Sequence, residues 1–248
     1  MGLSEEIIAK NLHRVRECIA RAAERAARSP EEITIVAVSK THSADAIRKV
    51  YKAGVRHFGE NRVQEWEGKY ERLKDLKATW HLVGHLQSNK IPRAVRLFHT
   101  VDSVDKVDLL RKISSSAKAA GKIRVLLEVR MDRSPQKTGF EREEIAAGIE
   151  VGKNLPHIEL RGLMCVPPLF FDADQARMSF RALKELRDRL SWQYEIPLPV
   201  LSMGMSHDFE VAIEEGATEI RLGTAIFGPR ETFQPESDGV ESAAKPQP

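Results

Sequence analysis

The sequence predicts an α/β protein: a single-domain (β/α)8 barrel of the TIM type carrying an additional N-terminal helix. Three observations lead there. Apolar runs of strand length recur near residues 33–38, 55–58, 80–83, 97–101, 123–129, 158–164, 199–202 and 218–222. Segments with helical spacing lie between them, and short connections between alternating strands and helices imply parallel pairing. No break in composition separates a second domain within the roughly 200 residues that hold the eight units, which is the size of this barrel. An open doubly wound sheet is the alternative. Against it, no G-x-G-x-x-G follows the first strand.

The elements follow in order. Residues 4–28 predict a long helix, with Ser4 as its N-cap and Glu5 and Glu6 complementing its positive end. Ile8, Leu12, Val15, Ile19, Ala22 and Ala26 fall at spacings of four and three and form one apolar stripe. That stripe suits packing on the chain's own domain or, less simply, a partner helix. "RSP" at Arg28–Pro30 stops it. "ITIVAVSK", Ile33–Lys40, is the first strand. "SADAIRKVYKAG" is a helix ended by Gly54, and "SHDFEVAIEEG" is one that starts at Ser206 and ends at Gly216. The folded unit is expected over 1–230. The tail 231–248 is Pro-, Ser- and Glu-rich and is expected to be flexible.

Composition excludes several classes. Basic and acidic side chains number 39 and 36, a net charge of +3 without a long basic run, which argues against nucleic acid. No uncharged apolar stretch is long enough for a membrane span. The N-terminal "MGLSEEIIAKN" is acidic early and has no signal core. Cys18 and Cys165 lie far apart, and two free thiols fit a reducing cytoplasm. A cytoplasmic monomer, or at most a weak dimer, is the expectation.

Chemistry in such a barrel sits where strands end, on the C-terminal face. The exits present Lys40, Asn61, the His81, His85 and Gln87 stretch, Met164, "LSMGMS" and "RLGTAIFG". The last two are the most informative. Gly204 and Gly223 let an anion approach the backbone, Ser202, Ser206 and Thr224 supply hydroxyl donors, and a helix start follows each loop. Gly and Ser also suit ordinary turns and caps. Both loops together stand at the usual phosphate position of this barrel. Lys40 alone suits a solvated charge over an apolar stem. Opposite a phosphate site it suggests an imine with a phosphate-bearing carbonyl compound, hence pyridoxal 5′-phosphate (PLP). Arg221, between Ile220 and Leu222, points to the barrel mouth by alternation. It suits a structural salt bridge or a donor to the pyridine nitrogen of PLP. A guanidinium donates and does not accept, so that nitrogen would be an unprotonated acceptor and a poorer electron sink. His81 and His85 stand four apart, but across a strand end, which spreads them too far for a shared metal.

"VAVSKTHSADAI", "HFGENRVQE", "WHLVGHLQSNK", "LRGLM" and "LSMGMSHDFEVAIEEGATEIRLGTAIFG" together resemble the pyridoxal phosphate homeostasis proteins, from about Leu12 to Gly228. The resemblance implies a barrel like the N-terminal domain of bacterial alanine racemase, with PLP held by Lys40. It places Ser202, Met203, Gly204, Gly223 and Thr224 in the phosphate loops, Arg221 at the pyridine nitrogen and Asn61 near the cofactor. After the fifth strand the chain departs from the family pattern: "VRMDRSPQKTG" has Arg130 where Asn is common, while Lys137 and Gly139 match. Any role of that loop, including a second PLP contact near Lys137, does not carry over.

Two functions compete. One is a PLP carrier or buffer without robust turnover, which delivers PLP to PLP-dependent apoenzymes. The other is a PLP enzyme such as an amino-acid racemase. Stereoinversion needs acid–base groups on both faces of the imine. Only about twenty polar, Pro-rich residues follow Gly228, and His85 is the nearest candidate for a second base. The carrier is therefore the expectation.

Overall fold

A computed structural model describes residues 3–131, 138–167 and 173–229. Eight strands close into one parallel barrel in chain order: β1 (Thr34–Val38), β2 (His57–Glu60), β3 (Thr79–Leu82), β4 (Thr100–Val104), β5 (Ile123–Glu128), β6 (Ile158–Met164), β7 (Val200–Ser202) and β8 (Glu219–Leu222). The predicted barrel is therefore present, and β1 pairs with β8 to close it. The helices alternate with the strands: α1 (Glu5–Arg25), α2 (Ala44–Lys52), α3 (Val63–Leu73), α4 (Ile91–Leu97), α5 (Val107–Ser116), α6 (Ile145–Asn154), α7 (Ala173–Tyr194), α8 (Phe209–Glu214) and α9 (Thr224–Phe227).

Helix α1 starts where its chemistry dictates. Ser4 Oγ accepts from the Ile7 N–H at 3.1 Å, and Glu5 and Glu6 occupy the first turn. Ile8, Leu12, Val15, Ile19 and Ala22 are buried in the helix, while Ala26 caps it and is half-buried. The stripe packs on the chain itself, against α2, α8 and α9. At about 1.5–3 kcal/mol for each large side chain buried, this face fixes the helix across the β8–β1 seam. Asn11 Nδ2 donates to the Ile226 carbonyl at 3.0 Å, which ties α1 to α9.

Several predicted boundaries move: α1 ends at Arg25 rather than 28, and the second strand spans His57–Glu60 rather than 55–58. The fourth strand starts at Thr100, because the apolar Leu97 and Phe98 belong to the end of α4 and its cap. The helix after β7 starts at Phe209, not Ser206: Asp208 Oδ1 accepts the Met205 N–H and shapes a turn first. The tail 231–248 and Lys137 lie outside the described residues. No helix among the described residues is long and apolar enough to cross a membrane.

Strand alternation sorts the chemistry. On β8, Ile220 and Leu222 join the apolar layer beneath the helices, while Glu219 and Arg221 face into the barrel. Val36, Leu126 and Met164 are buried there too, apart from that layer. Lys40, Asn61, Ser202, Gly204, Arg221 and Gly223 share the inward parity. Met203 does not. Its side chain is fully buried in the outer apolar layer, and only its backbone borders the loop.

Candidate functional site

Lys40 sits in the turn just beyond β1, half-buried at the C-terminal mouth. The turn is held from below. Ser39 Oγ donates to Glu60 Oε1 at 2.7 Å, and Lys69 Nζ donates to the Ser39 carbonyl at 3.1 Å and to Glu60 Oε1 at 3.0 Å. Lys69 also reaches Glu65 Oε1 at 2.8 Å, and that oxygen accepts the N–H of Thr41. Thr41 has φ +67°, a left-handed conformation costly for a β-branched residue and sustained here by its surroundings. Burial pushes the Glu60 carboxyl up despite Lys69. Burial alone would also raise Glu65, but bonds from Lys69 and the Thr41 N–H outweigh it and hold that group low. Sequence reasoning missed this brace. Its local half, the Glu65–Lys69 pair four apart on a helix, was the available signal.

The loops after β7 and β8 meet. The Arg221 N–H donates to the Gly204 carbonyl at 3.0 Å, and the Ala225 N–H donates to Ser206 Oγ at 3.2 Å. Ile226 and Phe227 donate to the Gly223 carbonyl, so among the described residues the Thr224 N–H has no partner. Gly223 is open: a Cβ built there meets nothing nearer than the Val38 carbonyl oxygen at 3.7 Å. An uncommitted N–H beside an open glycine is a cradle that fits an anion such as a phosphate. Gly204 serves differently. Its φ is +93°, and a Cβ would lie 2.6 Å from Ala212 Cβ, so this glycine is required by the fold.

Arg221 is buried. Its Nη1 donates to Ser202 Oγ and its Nη2 to the Cys165 carbonyl, both at 2.7 Å. Ser202 is thus engaged with Arg221 rather than open to an anion, and the Cys165 carbonyl is a partner that sequence reasoning did not find. Three of the five guanidinium N–H groups remain beyond these two bonds.

Asn61 follows β2 at the mouth, where Gly84 packs on it; a Cβ at Gly84 would lie 2.3 Å from the Asn61 carbonyl oxygen. Across the mouth, His85 Nδ1 stands 3.2 Å from Asp105 Oδ2, and Thr138 Oγ1 donates to Glu128 Oε1 at 3.1 Å. Burial raises the Glu128 carboxyl. These groups adjoin a cavity of about 290 Å³ that includes Val83, Met131 and Val166. His81 goes elsewhere. It lies in β3 at the opposite, N-terminal floor of the barrel, so the two histidines do not converge.

The family follows from comparison. Residues 10–231 match the model of the alanine racemase N-terminal domain. A pyridoxal phosphate homeostasis protein of Aquifex aeolicus is 43% identical over 222 residues, spanning 89% of this chain and 97% of the relative. The chain belongs to the pyridoxal phosphate homeostasis protein family. Another member, from Pseudomonas aeruginosa, is 40% identical over 231 residues, spanning 93% of this chain and 99% of the relative. The structure of PipY from Synechococcus elongatus PCC7942 with PLP bound is 37% identical at a TM-score of 0.79, covering 89% of this chain and all of that one. The alanine racemase of Clostridium difficile 630 is 16% identical at a TM-score of 0.69, a likeness of fold, with 58% of its length covered.

Proposed function

We propose that the barrel mouth binds PLP and that this family member acts in the cytoplasm as a PLP carrier or buffer without robust turnover. The observation that carries the reading is the open Gly223–Thr224 cradle on the same mouth as the braced turn of Lys40. The PLP-bound PipY structure supports it. PLP supplies an aldehyde and a phosphate. Lys40 Nζ would hold the aldehyde carbon as a Schiff base, with one water released, and an incoming amine, free or on an apoenzyme lysine, would take that carbon over and free the Lys40 amine. Gly204, Gly223 and Thr224 hold the phosphate through the backbone, with Ser202 and Met203 contributing only as loop framework. Arg221 presents N–H groups to the pyridine nitrogen, which keeps that nitrogen an acceptor and weakens carbanion stabilisation. Asn61 borders the ring. Residues 1–230 act as one unit, with 231–248 as a flexible tail, in a monomer.

A second reading, a racemase-like enzyme, is favoured by one observation: His85 beside Asp105 at the mouth offers an acid–base group. The two readings separate in one experiment. The PLP-loaded protein is incubated with L- and D-amino acids while racemisation, decarboxylation and transamination are followed, and reactivation of a PLP-free enzyme is measured in parallel. The carrier reading expects turnover far below about 1 per second and measurable reactivation. Turnover at or above that rate on any amino acid overturns it, as does failure to yield PLP to any acceptor.

A further inference from the structure

We infer that the floor of the barrel, at the end opposite Lys40, is a binding site for a divalent first-row transition cation held by His81, Asp102 and Glu219. One ligand atom from each lies within 4.8 Å of the others, and all three side chains are buried. His81 Nδ1 is 2.8 Å from Asp102 Oδ2 and 3.9 Å from Glu219 Oε2, separations that ligands around one ion show. They line a cavity of about 190 Å³ enclosed by strand starts.

The outer contacts are the second observation. A metal-binding histidine usually donates its other ring N–H, and metal-binding carboxylates are usually hydrogen-bonded in turn. Here His81 Nε2 is 3.0 Å from His57 Nδ1. Thr100 Oγ1 donates to Asp102 Oδ1. Glu219 lies beside Ser202, whose Oγ accepts from Arg221. His81 and Asp102 are thus oriented from behind, while Glu219 Oε1, on a residue 6% exposed, has no partner among the described residues. An unpartnered buried carboxylate oxygen is costly, and an ion supplies what it lacks. The charges agree: a neutral imidazole and two carboxylates cancel a divalent ion. The nearby Arg124 and Arg161 are paired with Glu159 at 3.6 and 3.1 Å. One imidazole with two carboxylates suits Mn²⁺, Co²⁺ or Zn²⁺ better than Mg²⁺, which prefers oxygen alone.

The test uses Mn²⁺ on the full chain after chelator treatment, followed by electron spin resonance. We expect one saturating equivalent per chain and a spin-echo modulation from one imidazole nitrogen. Glu219→Gln should weaken binding by more than about 100-fold, beyond the 10–100-fold typical of losing an outer contact. No saturable binding, no nitrogen coupling, or undiminished binding in Glu219→Gln overturns the site. The wild-type stoichiometry and nitrogen coupling decide by themselves if that variant does not fold.

Discussion

Gly223→Leu will weaken PLP binding by more than 100-fold and leave unphosphorylated pyridoxal little affected. The cradle is open in the folded chain, since a Cβ at 223 meets only ordinary contact with Val38. A side chain there occupies the space the phosphate needs and screens the Thr224 N–H. A hydrogen bond to a charged group contributes about 1.5–3 kcal/mol, so losing the bonds from the Thr224 N–H and the Thr224 hydroxyl exceeds a factor of 100 in affinity. Thermal unfolding should stay near wild type, which separates this result from a folding defect. Gly204→Ala is the contrast. Its Cβ would collide with Ala212 at 2.6 Å in a backbone at φ +93°, so it should lose stability before any effect on ligand can be read. Equal losses for PLP and pyridoxal in Gly223→Leu would show that these loops do not hold phosphate.

Arg221→Ala should cost about 3–5 kcal/mol of folding stability, since it loses two buried hydrogen bonds from a charged group at about 1.5–3 kcal/mol each. Arg221 is 5% exposed and satisfies Ser202 and the Cys165 carbonyl, and its charge lies near the buried Glu219. Truncation removes a buried charged donor from Ser202 and from the Cys165 carbonyl. For a chain of this size each kcal/mol moves the midpoint by about 2–4 °C, so a fall of roughly 6–20 °C is expected in calorimetry. Arg221→Lys keeps a charge but not the planar fork and should lose less. A midpoint within about 2 °C of wild type in Arg221→Ala would remove Arg221 from the structural account.

The sequence carried the periodic part of the molecule. Eight apolar runs, the α1 stripe with its Ser4 cap, and glycine stops at 54 and 216 are local signals, and each reappears as an element. Lys40, Gly204, Arg221 and Gly223 were legible because strand ends can be found from the runs, and alternation then gives the face. What was not legible depends on contacts between distant segments. Arg221 and the Cys165 carbonyl are 56 residues apart, and nothing near either announces the bond. Ser202 looks like an anion donor in sequence and is engaged by Arg221 in space. Met203 falls on the outward parity of a strand only three residues long. The polar floor of His57, His81, Asp102 and Glu219 was hidden for the same reason: each belongs to a different strand, and only barrel closure brings them together.

The central claim is that Lys40 holds the cofactor, and borohydride reduction of the PLP-loaded protein followed by peptide mass analysis tests it most directly. Lys69 is the informative competitor, because its Nζ lies 3.1 Å from the Ser39 carbonyl in the same turn. Its three bonds to Ser39, Glu60 and Glu65 commit it to bracing. The account predicts pyridoxyl mass on the peptide containing Lys40, none on Lys69, and no site-specific label in Lys40→Ala. Equal labelling of wild type and Lys40→Ala at the same other lysine would contradict it.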